Sequence, residues 1–166
     1  MSSADLLAES FGRIRDLTHG VVQDLTADEL ARRPAPDANS IGWLVWHLTR
    51  VQDDHVAKPA GHPQAWDAAW LERMRLPFEV SDIGYGHSSE EVAAVRIPSA
   101  QLLVQYHDEV FERTRRYVAV LSDDDLDRVI DRSFDPPVTL AARLVSVVSD
   151  DLQHVGQAAY VRGLIG

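Results

Sequence analysis

The sequence has no cysteine among its 166 residues. The chain therefore forms no disulfide, binds no zinc through thiolates and uses no cysteine nucleophile. Any chemistry that needs a thiol must take it from a second molecule. A chain of 18.5 kDa does not need such cross-links, because a domain of this size buries roughly 70% of its unfolded surface. We expect one domain spanning residues 1–166.

Long apolar runs are also missing. No segment approaches the roughly 18 apolar residues that a membrane-spanning helix needs. The first residues, Met1 to Asp5, are mostly polar and lack the basic start of a secretory signal. We therefore expect no membrane association and a cytoplasmic location, with which the lack of cysteine agrees.

Basic residues are outnumbered by acidic ones. The chain has 16 basic and 26 acidic residues, which gives a formal net charge of −10. Such a surface repels nucleic-acid backbones. The densest basic stretch, Arg113 to Arg116, is interleaved with Glu109 and Glu112 on one predicted helix, and mixed charges are typical of a solvated helix face. No nucleic-acid partner is expected.

Apolar residues do not alternate with a period of two, so no sheet is predicted. Four segments instead place apolar residues three and four apart, as amphipathic helices do. The four predicted long helices cover residues 3–24, 40–57, 99–121 and 138–163. Residues 58–98 are interrupted by prolines and glycines, and two short helices are predicted there, at 67–75 and 88–95.

The order of these segments occurs twice. In each half a long helix is followed by a short capped turn, a proline-containing loop and a second long helix. Thr26 opens the first short turn and Ser122 the second, while Ser40 and Thr139 open the helices that follow the loops. The repeat favours an all-α fold, an antiparallel four-helix bundle of two pseudo-repeated halves joined by the irregular 58–98 connection.

The last predicted helix carries the residues that indicate a function. Its apolar stripe is interrupted by Asp151 and His154, and an ionised carboxylate in such a stripe needs a partner, of which a cation is the simplest. Asp150 lies four residues before His154, so both project from one side of the helix. His47, at the edge of the buried face of the second long helix, would complete a divalent-metal site between facing helices. Asp151 is an alternative carboxylate ligand, or an acceptor for a ligand histidine, and spacing does not separate these roles.

Two motifs resemble a known family. The first, on the second long helix, is Ser40-x-x-Trp43-x-x-Trp46-His47-Leu48. The second, on the last helix, is Asp150-x-x-x-His154-x-Gly156-Gln157. Together they resemble the DinB/YfiT-like superfamily of metal-binding four-helix bundles over almost the whole chain. The chain is similar in particular to actinobacterial DinB-like proteins of unknown function, which overlap with the mycothiol-dependent transferases.

This resemblance implies that His47, Asp150 and His154 are the metal ligands. In the superfamily a histidine of the second helix joins a His-x-x-x-His pair that is usually followed by Arg-Gly-Gln. Asp150 stands where the first histidine of that pair is commoner, and the mycothiol-dependent maleylpyruvate isomerase branch also has a carboxylate there. Val155 replaces the usual arginine.

The resemblance also implies an activity. The expected cofactor is a divalent metal, with zinc favoured and nickel, iron or manganese as alternatives. The expected function is a metal-dependent S-transferase or isomerase that takes a small-molecule substrate and a low-molecular-weight thiol such as mycothiol, in a homodimer. The alternative is a non-catalytic metal-binding or stress-response bundle.

Other residues near these motifs have two interpretations each. The four tryptophans, at 43, 46, 66 and 70, are expected in the core, with the wall of an organic pocket as the alternative. Tyr85 and His87 lie in a glycine-flanked loop, where a solvated turn is expected and proton donation at the metal is the alternative.

Overall fold

The computed structural model describes residues 1–165. In this part of the chain eight helices and two short strands follow one another. The helices are α1 (Ser3–Val22), α2 (Ala27–Ala31), α3 (Ile41–Ala60), α4 (Ala68–Met74), α5 (Ser89–Ala94), α6 (Ala100–Val118), α7 (Asp123–Leu126) and α8 (Leu140–Ile165). The strands, β1 (Val129–Asp131) and β2 (Val138–Thr139), lie between α7 and α8. The all-α fold predicted from the sequence is confirmed.

The four long helices form a ring in which α1 packs on α6 and α8, and α3 packs on the same two helices. Within each half the two long helices run antiparallel and lie diagonally across the bundle. Between the halves α3 and α6 run in the same direction, since Thr49 contacts His107 and Gln52 contacts Thr114 further along both helices. The 61–99 connection makes this possible by returning the chain to the end where α3 began.

Helix starts follow the predicted caps. Side chains of Thr26, Ser40 and Ser122 accept hydrogen bonds from backbone N–H groups in the first turn of the next helix, as an N-cap does. Thr139 does the same for the N–H of Ala142. Ser99, which the sequence also predicts as the cap of the third long helix, is an exception, because its side chain makes no capping hydrogen bond.

The prediction that the chain has no sheet was wrong at one place. β1 and β2 pair antiparallel, with Val129 opposite Thr139 and Asp131 opposite Val138. Strands of three and two residues are too short to show alternation in the sequence. The hairpin closes the end of the bundle where α8 begins.

The core consists of two apolar clusters stacked along the bundle. The larger lies at the end where α3 begins and contains the four tryptophans, Met74 and Tyr106. The smaller contains Phe11, Val56 and Leu144. All four tryptophans are buried, which confirms the core interpretation. None of the helices in residues 1–165 is long and apolar enough to cross a membrane.

The 61–99 connection is bound to α3 through buried polar groups. Asp53 accepts hydrogen bonds from the backbone N–H groups of Ala65 and Trp66 at 2.9 and 2.8 Å and from the Tyr106 hydroxyl at 2.9 Å. Arg50, which is 1% exposed, donates to the backbone oxygen of Asp82 at 3.1 Å. The Asp53 bonds hold the start of the connection against α3, and the Arg50 bond holds the loop of residues 82–87, which borders the candidate site.

Candidate functional site

His47, Asp150 and His154 converge at the contact between α3 and α8. One potential ligand atom from each lies within 4.8 Å of the others. The two helices pack antiparallel, and His47 in the first half of α3 meets Asp150 and His154 near the middle of α8. The His47 ring is nearly buried, while the side chains of His154 and Asp150 are 19% and 34% exposed. The cluster is therefore open to small molecules on the α8 side.

The orientation of the His47 ring is set by the 82–87 loop. The Nδ1 of His47 donates to the backbone oxygen of Ile83 in a short hydrogen bond. Because a carbonyl oxygen only accepts, the proton is on Nδ1 and the lone pair is on Nε2. Trp43, one turn earlier on α3, stacks on the ring with centroids 4.6 Å apart. Burial lowers the pKa of His47, which favours the neutral imidazole that binds metals.

His154 has the same arrangement within its own helix. Its Nδ1 lies 2.8 Å from Oε1 of Gln157, three residues later, so that amide oxygen accepts the Nδ1 proton. The Nε2 of His154 then faces the Asp150 carboxylate, 3.6 Å from Oδ1. In both histidines the ring nitrogen that points away from the site is hydrogen-bonded to an oxygen, as is typical of histidines that bind metals.

The Asp150 carboxylate lacks the partners that a buried oxygen needs. Its Oδ2 is inaccessible to solvent and has no hydrogen-bond partner among residues 1–165. The two Nε2 lone pairs and this carboxylate are all acceptors, and buried acceptors that meet without a donor are unfavourable. A divalent cation would satisfy all three, so the residues present fit a metal.

Asp151 lies elsewhere. Its side chain points into the bundle and is completely buried, and neither carboxylate oxygen has a hydrogen-bond partner among the described residues. Burial and the neighbouring Asp150 raise its pKa well above the usual value. Of the two carboxylates left open by the sequence, only Asp150 is in the cluster.

One expectation about the last helix needs correction. The buried side chains of α8 include Val155 and not His154. His154 lies one position earlier on the helix, and its side chain faces the groove between α3 and α8.

The proposed solvation of His87 was wrong. Its side chain is 4% exposed; Nδ1 accepts from Trp43 Nε1 at 3.1 Å and Nε2 donates to Asp82 Oδ2 at 3.0 Å. With both nitrogens engaged, His87 supports the loop that holds His47. Tyr85 is 89% exposed and projects into solvent. Neither residue stands as a proton donor at the cluster.

The groove between α3 and α8 continues on both sides of the cluster. Toward the C-terminus of α8 it widens to a cleft of about 480 Å³ whose lining includes Leu44, Tyr160 and Val161. Toward the N-terminus of α8 it leads to a second cleft of about 440 Å³, next to the β1 strand.

Comparison with known proteins agrees with this fold. The model of the DinB superfamily matches residues 10–158, which include all three clustered residues. The chain belongs to the DinB superfamily. A solved structure of a conserved protein from Enterococcus faecalis is similar to this DinB-superfamily chain, with a TM-score of 0.90 and 32% identity. The match covers 99% of this chain and 98% of that one. No curated protein gives a significant match.

Sequence analysis missed the groups that orient the two histidines. The Ile83 oxygen is a backbone atom 36 residues from His47, and no residue type predicts it. Gln157 was part of the motif on α8, and its spacing of three from His154 is the one signal that indicated such a contact. The buried Arg50 that fixes Asp82 gave no signal, since a lone arginine on a helix is usually exposed.

Proposed function

We propose that this DinB-superfamily chain holds a divalent cation with His47, Asp150 and His154, and that it is a thiol-dependent S-transferase or isomerase. The observation that carries the proposal is the convergence of three acceptor side chains, whose ligand atoms lie within 4.8 Å of one another. In addition, the Nδ1 of each imidazole is hydrogen-bonded to an oxygen outside the cluster. Two neutral imidazoles and one carboxylate leave positions for an outside ligand on zinc, which we favour; nickel, iron or manganese also accept this set.

The ligand set would favour an anionic cosubstrate. One carboxylate offsets one of the two charges of the ion, so the site keeps a charge of about +1. When bound, the cation would supply a Lewis acid that lowers the pKa of a thiol. The chain has no cysteine, so the thiol would be a separate small molecule, of the mycothiol type by resemblance to the superfamily.

The remaining groups would bind and orient. The stacked Trp43 and the 82–87 loop cover the α3 side of the cluster and exclude water from it. The part-exposed side, between Asp150 and His154, would admit the thiol and its electrophile. A homodimer and a cytoplasmic location are also proposed on the resemblance alone, and light scattering of the purified protein tests the first.

Metal content tests the site. Protein purified without chelators and loaded with Zn²⁺, Ni²⁺, Mn²⁺ or Fe²⁺ should hold about one ion per chain by mass spectrometry. Asp150→Asn and His154→Gln should each lose it. His19→Gln is the matched control, because His19 is also a part-buried histidine beside a carboxylate, Asp108, at 2.8 Å. Equal metal content in all four proteins would refute the site.

Thiol dependence tests the activity. The loaded protein should be stabilised by mycothiol in a thermal-shift assay and should transfer it to monochlorobimane, and both effects should vanish in His154→Gln. Metal binding without either effect would favour the non-catalytic bundle instead.

A further inference from the structure

The cleft near the β1 strand is lined by cations. It lies in the α3–α8 groove, toward the end where α3 finishes and α8 begins, and has a volume of about 440 Å³. Lys58 comes from α3, Arg128 precedes β1, and Arg143 comes from the first turn of α8. The β1 strand forms the wall that faces the two helices.

This concentration of positive charge is unusual for the chain. The net charge is −10, and Lys58 is the single lysine of the sequence. Two acids, Asp54 and Asp131, also line the cleft. His55 adds no charge near neutral pH, because burial and the nearby Arg143 lower its pKa. Three cations against two carboxylates leave the cleft positive on an acidic molecule.

Arg143 has unused hydrogen-bond donors. Its side chain is 20% exposed, and it makes no hydrogen bond within residues 1–165. The nearest carboxylate oxygen, Oδ2 of Asp131, is 3.6 Å away, and the other oxygen of that acid already accepts from the backbone N–H and hydroxyl of Ser133 at 2.9 and 2.7 Å. A part-exposed pair at this distance contributes less than about 1 kcal/mol. The guanidinium is therefore free to turn to a better acceptor.

The other two cations are placed around the same space. Arg128 is held by the Tyr117 hydroxyl at 3.1 Å and by the backbone oxygen of Pro59 at 3.3 Å, both through Nη2. Its remaining N–H groups make no hydrogen bond within the described residues. Lys58 is exposed and has no salt bridge in that part of the chain. Guanidinium groups with free N–H donors are suited to carboxylate and phosphate oxygens.

The cleft and the metal cluster lie along the same pair of helices, a short distance apart. Arg143 precedes Asp150 by seven residues on α8, which corresponds to about 10 Å along the helix axis. Lys58 follows His47 by eleven residues, or about 16 Å, and because α3 and α8 run antiparallel both lie toward the same end. An extended small molecule could therefore contact both the cleft and the cluster.

We propose that this cleft binds the carboxylate or phosphate group of a small-molecule ligand, and that the same molecule reaches the metal cluster. The first half is independent of the metal. The second half rests on the proposed function and defines its substrate class: an electrophile with an anionic group at its far end.

Binding to the metal-free protein tests the first half. Inorganic phosphate and succinate, titrated separately at low ionic strength by calorimetry, distinguish the two anion sources. We expect one of them to bind and the affinity to fall about tenfold or more in Lys58→Gln/Arg143→Gln, since charge-assisted hydrogen bonds are lost. The single variant Lys58→Gln, at an exposed position where folding is not at risk, should show a smaller loss.

The matched control is Arg13→Gln/Arg115→Gln, which removes the same charge from exposed helix faces where each arginine pairs with a glutamate. It should bind the anion as the wild type does. If neither phosphate nor succinate bound, or if the affinity fell equally in both double variants, the proposal that the cleft binds an anion would be overturned. Asp150→Asn should lose the metal and keep the anion, so failure of the metal site and failure of the cleft are distinguishable.

Transfer by the loaded protein tests the second half. In the reaction of the thiol with 4-(bromomethyl)benzoate a C–S bond forms, the C–Br bond breaks, bromide leaves with the electron pair and the thiol proton goes to solvent. Lys58→Gln/Arg143→Gln should raise KM about tenfold for this acid and leave KM for its neutral methyl ester unchanged. Equal effects on acid and ester would show that the cleft does not bind the substrate.

Discussion

Asp150 and Asp151 are neighbours in the sequence and lie in opposite environments. Successive residues of an α-helix are about 100° apart, so one carboxylate faces the groove beside His154 and the other faces the core. Asp150 is part of an acceptor cluster that a cation would neutralise. Asp151 has no compensating partner among the described residues, and its burial is a cost to the fold.

Replacing Asp151 with Asn should stabilise the metal-free protein at pH 7.5. The raised pKa means that the folded chain holds the Asp151 proton more strongly than the unfolded chain does, so this residue opposes folding increasingly as pH rises above about 4. The amide of asparagine does not ionise near neutral pH, so it avoids this cost. We expect the free energy of unfolding to rise by about 2 kcal/mol in urea denaturation. A decrease would show that Asp151 has a partner that compensates its burial.

Gln157 should affect metal affinity without touching the metal. Gln157→Leu removes the acceptor that holds the His154 ring, and we expect affinity to fall about tenfold in a competition assay with a chromogenic chelator. Gln153→Leu is the control, because Gln153 is exposed on the same helix and bonds to Ser149 instead. Equal losses in the two variants would mean that the Nδ1 contact has no orienting role.

The loop of residues 82–87 is the element that connects the cluster to the core. Arg50 holds the backbone of Asp82, the Asp82 carboxylate accepts from His87 and from the N–H of Gly84, and the next carbonyl orients His47. The backbone passes so close to α3 that a Cβ on Gly84 would lie 2.9 Å from His47 Nδ1 and 2.9 Å from Trp46. A side chain at this position would force the loop away from the ring.

Gly84→Ala should therefore weaken metal binding, about tenfold or more, because the Ile83 oxygen would move from Nδ1 of His47. Gly86→Ala is a matched control: both glycines have positive φ, 86° and 75°, so each variant places a side chain at a backbone conformation that favours glycine. A Cβ at Gly86 meets nothing within 4 Å. If thermal unfolding and metal titration gave the same result for the two variants, the close approach at Gly84 would be irrelevant.

At the scale of the molecule, polar residues separate the two apolar clusters. Between its contributions to the clusters each long helix carries a buried polar side chain: Thr18, Gln52, Thr114 and Asp151. His107 on α6 is also completely buried. Its Nδ1 lies 3.1 Å from the Thr49 hydroxyl oxygen, and Nε2 has no partner among residues 1–165.

His107 should make the metal-free protein sensitive to acid. Burial lowers its pKa to about 3, so between pH 6.5 and about 3 the unfolded chain binds a proton that the folded chain does not. The free energy of unfolding should therefore decrease as the pH is lowered through this range, by up to about 1.4 kcal/mol per pH unit from this group. His107→Leu should reduce that slope, with denaturation at several pH values as the measurement. If the free energy of unfolding depended on pH equally in the wild type and the variant, His107 would not be the source of the acid sensitivity.

Periodicity predicted the four long helices to within a few residues, because each long helix buries one stripe of apolar side chains against the others. It could not assign β1 and β2, whose few residues are ordered by pairing with each other and not by a pattern of their own. The i,i+4 spacing brought Asp150 and His154 together in prediction, and the position of His47 on the buried edge of a facing helix added the third residue, which the resemblance then supported. Their proximity is found; their binding of a metal is still a prediction.

By itself the sequence determined an all-helical chain with an acidic surface, no thiol chemistry of its own, and two motifs of the DinB superfamily. These follow from composition and from spacing along one helix, both of which are local. Only the tertiary structure decided which of two adjacent aspartates joins the histidines, which backbone oxygen orients His47, and that Lys58, Arg128 and Arg143 border one cleft. Those facts depend on how helices distant in sequence rotate and pack against each other, and no local pattern records that rotation.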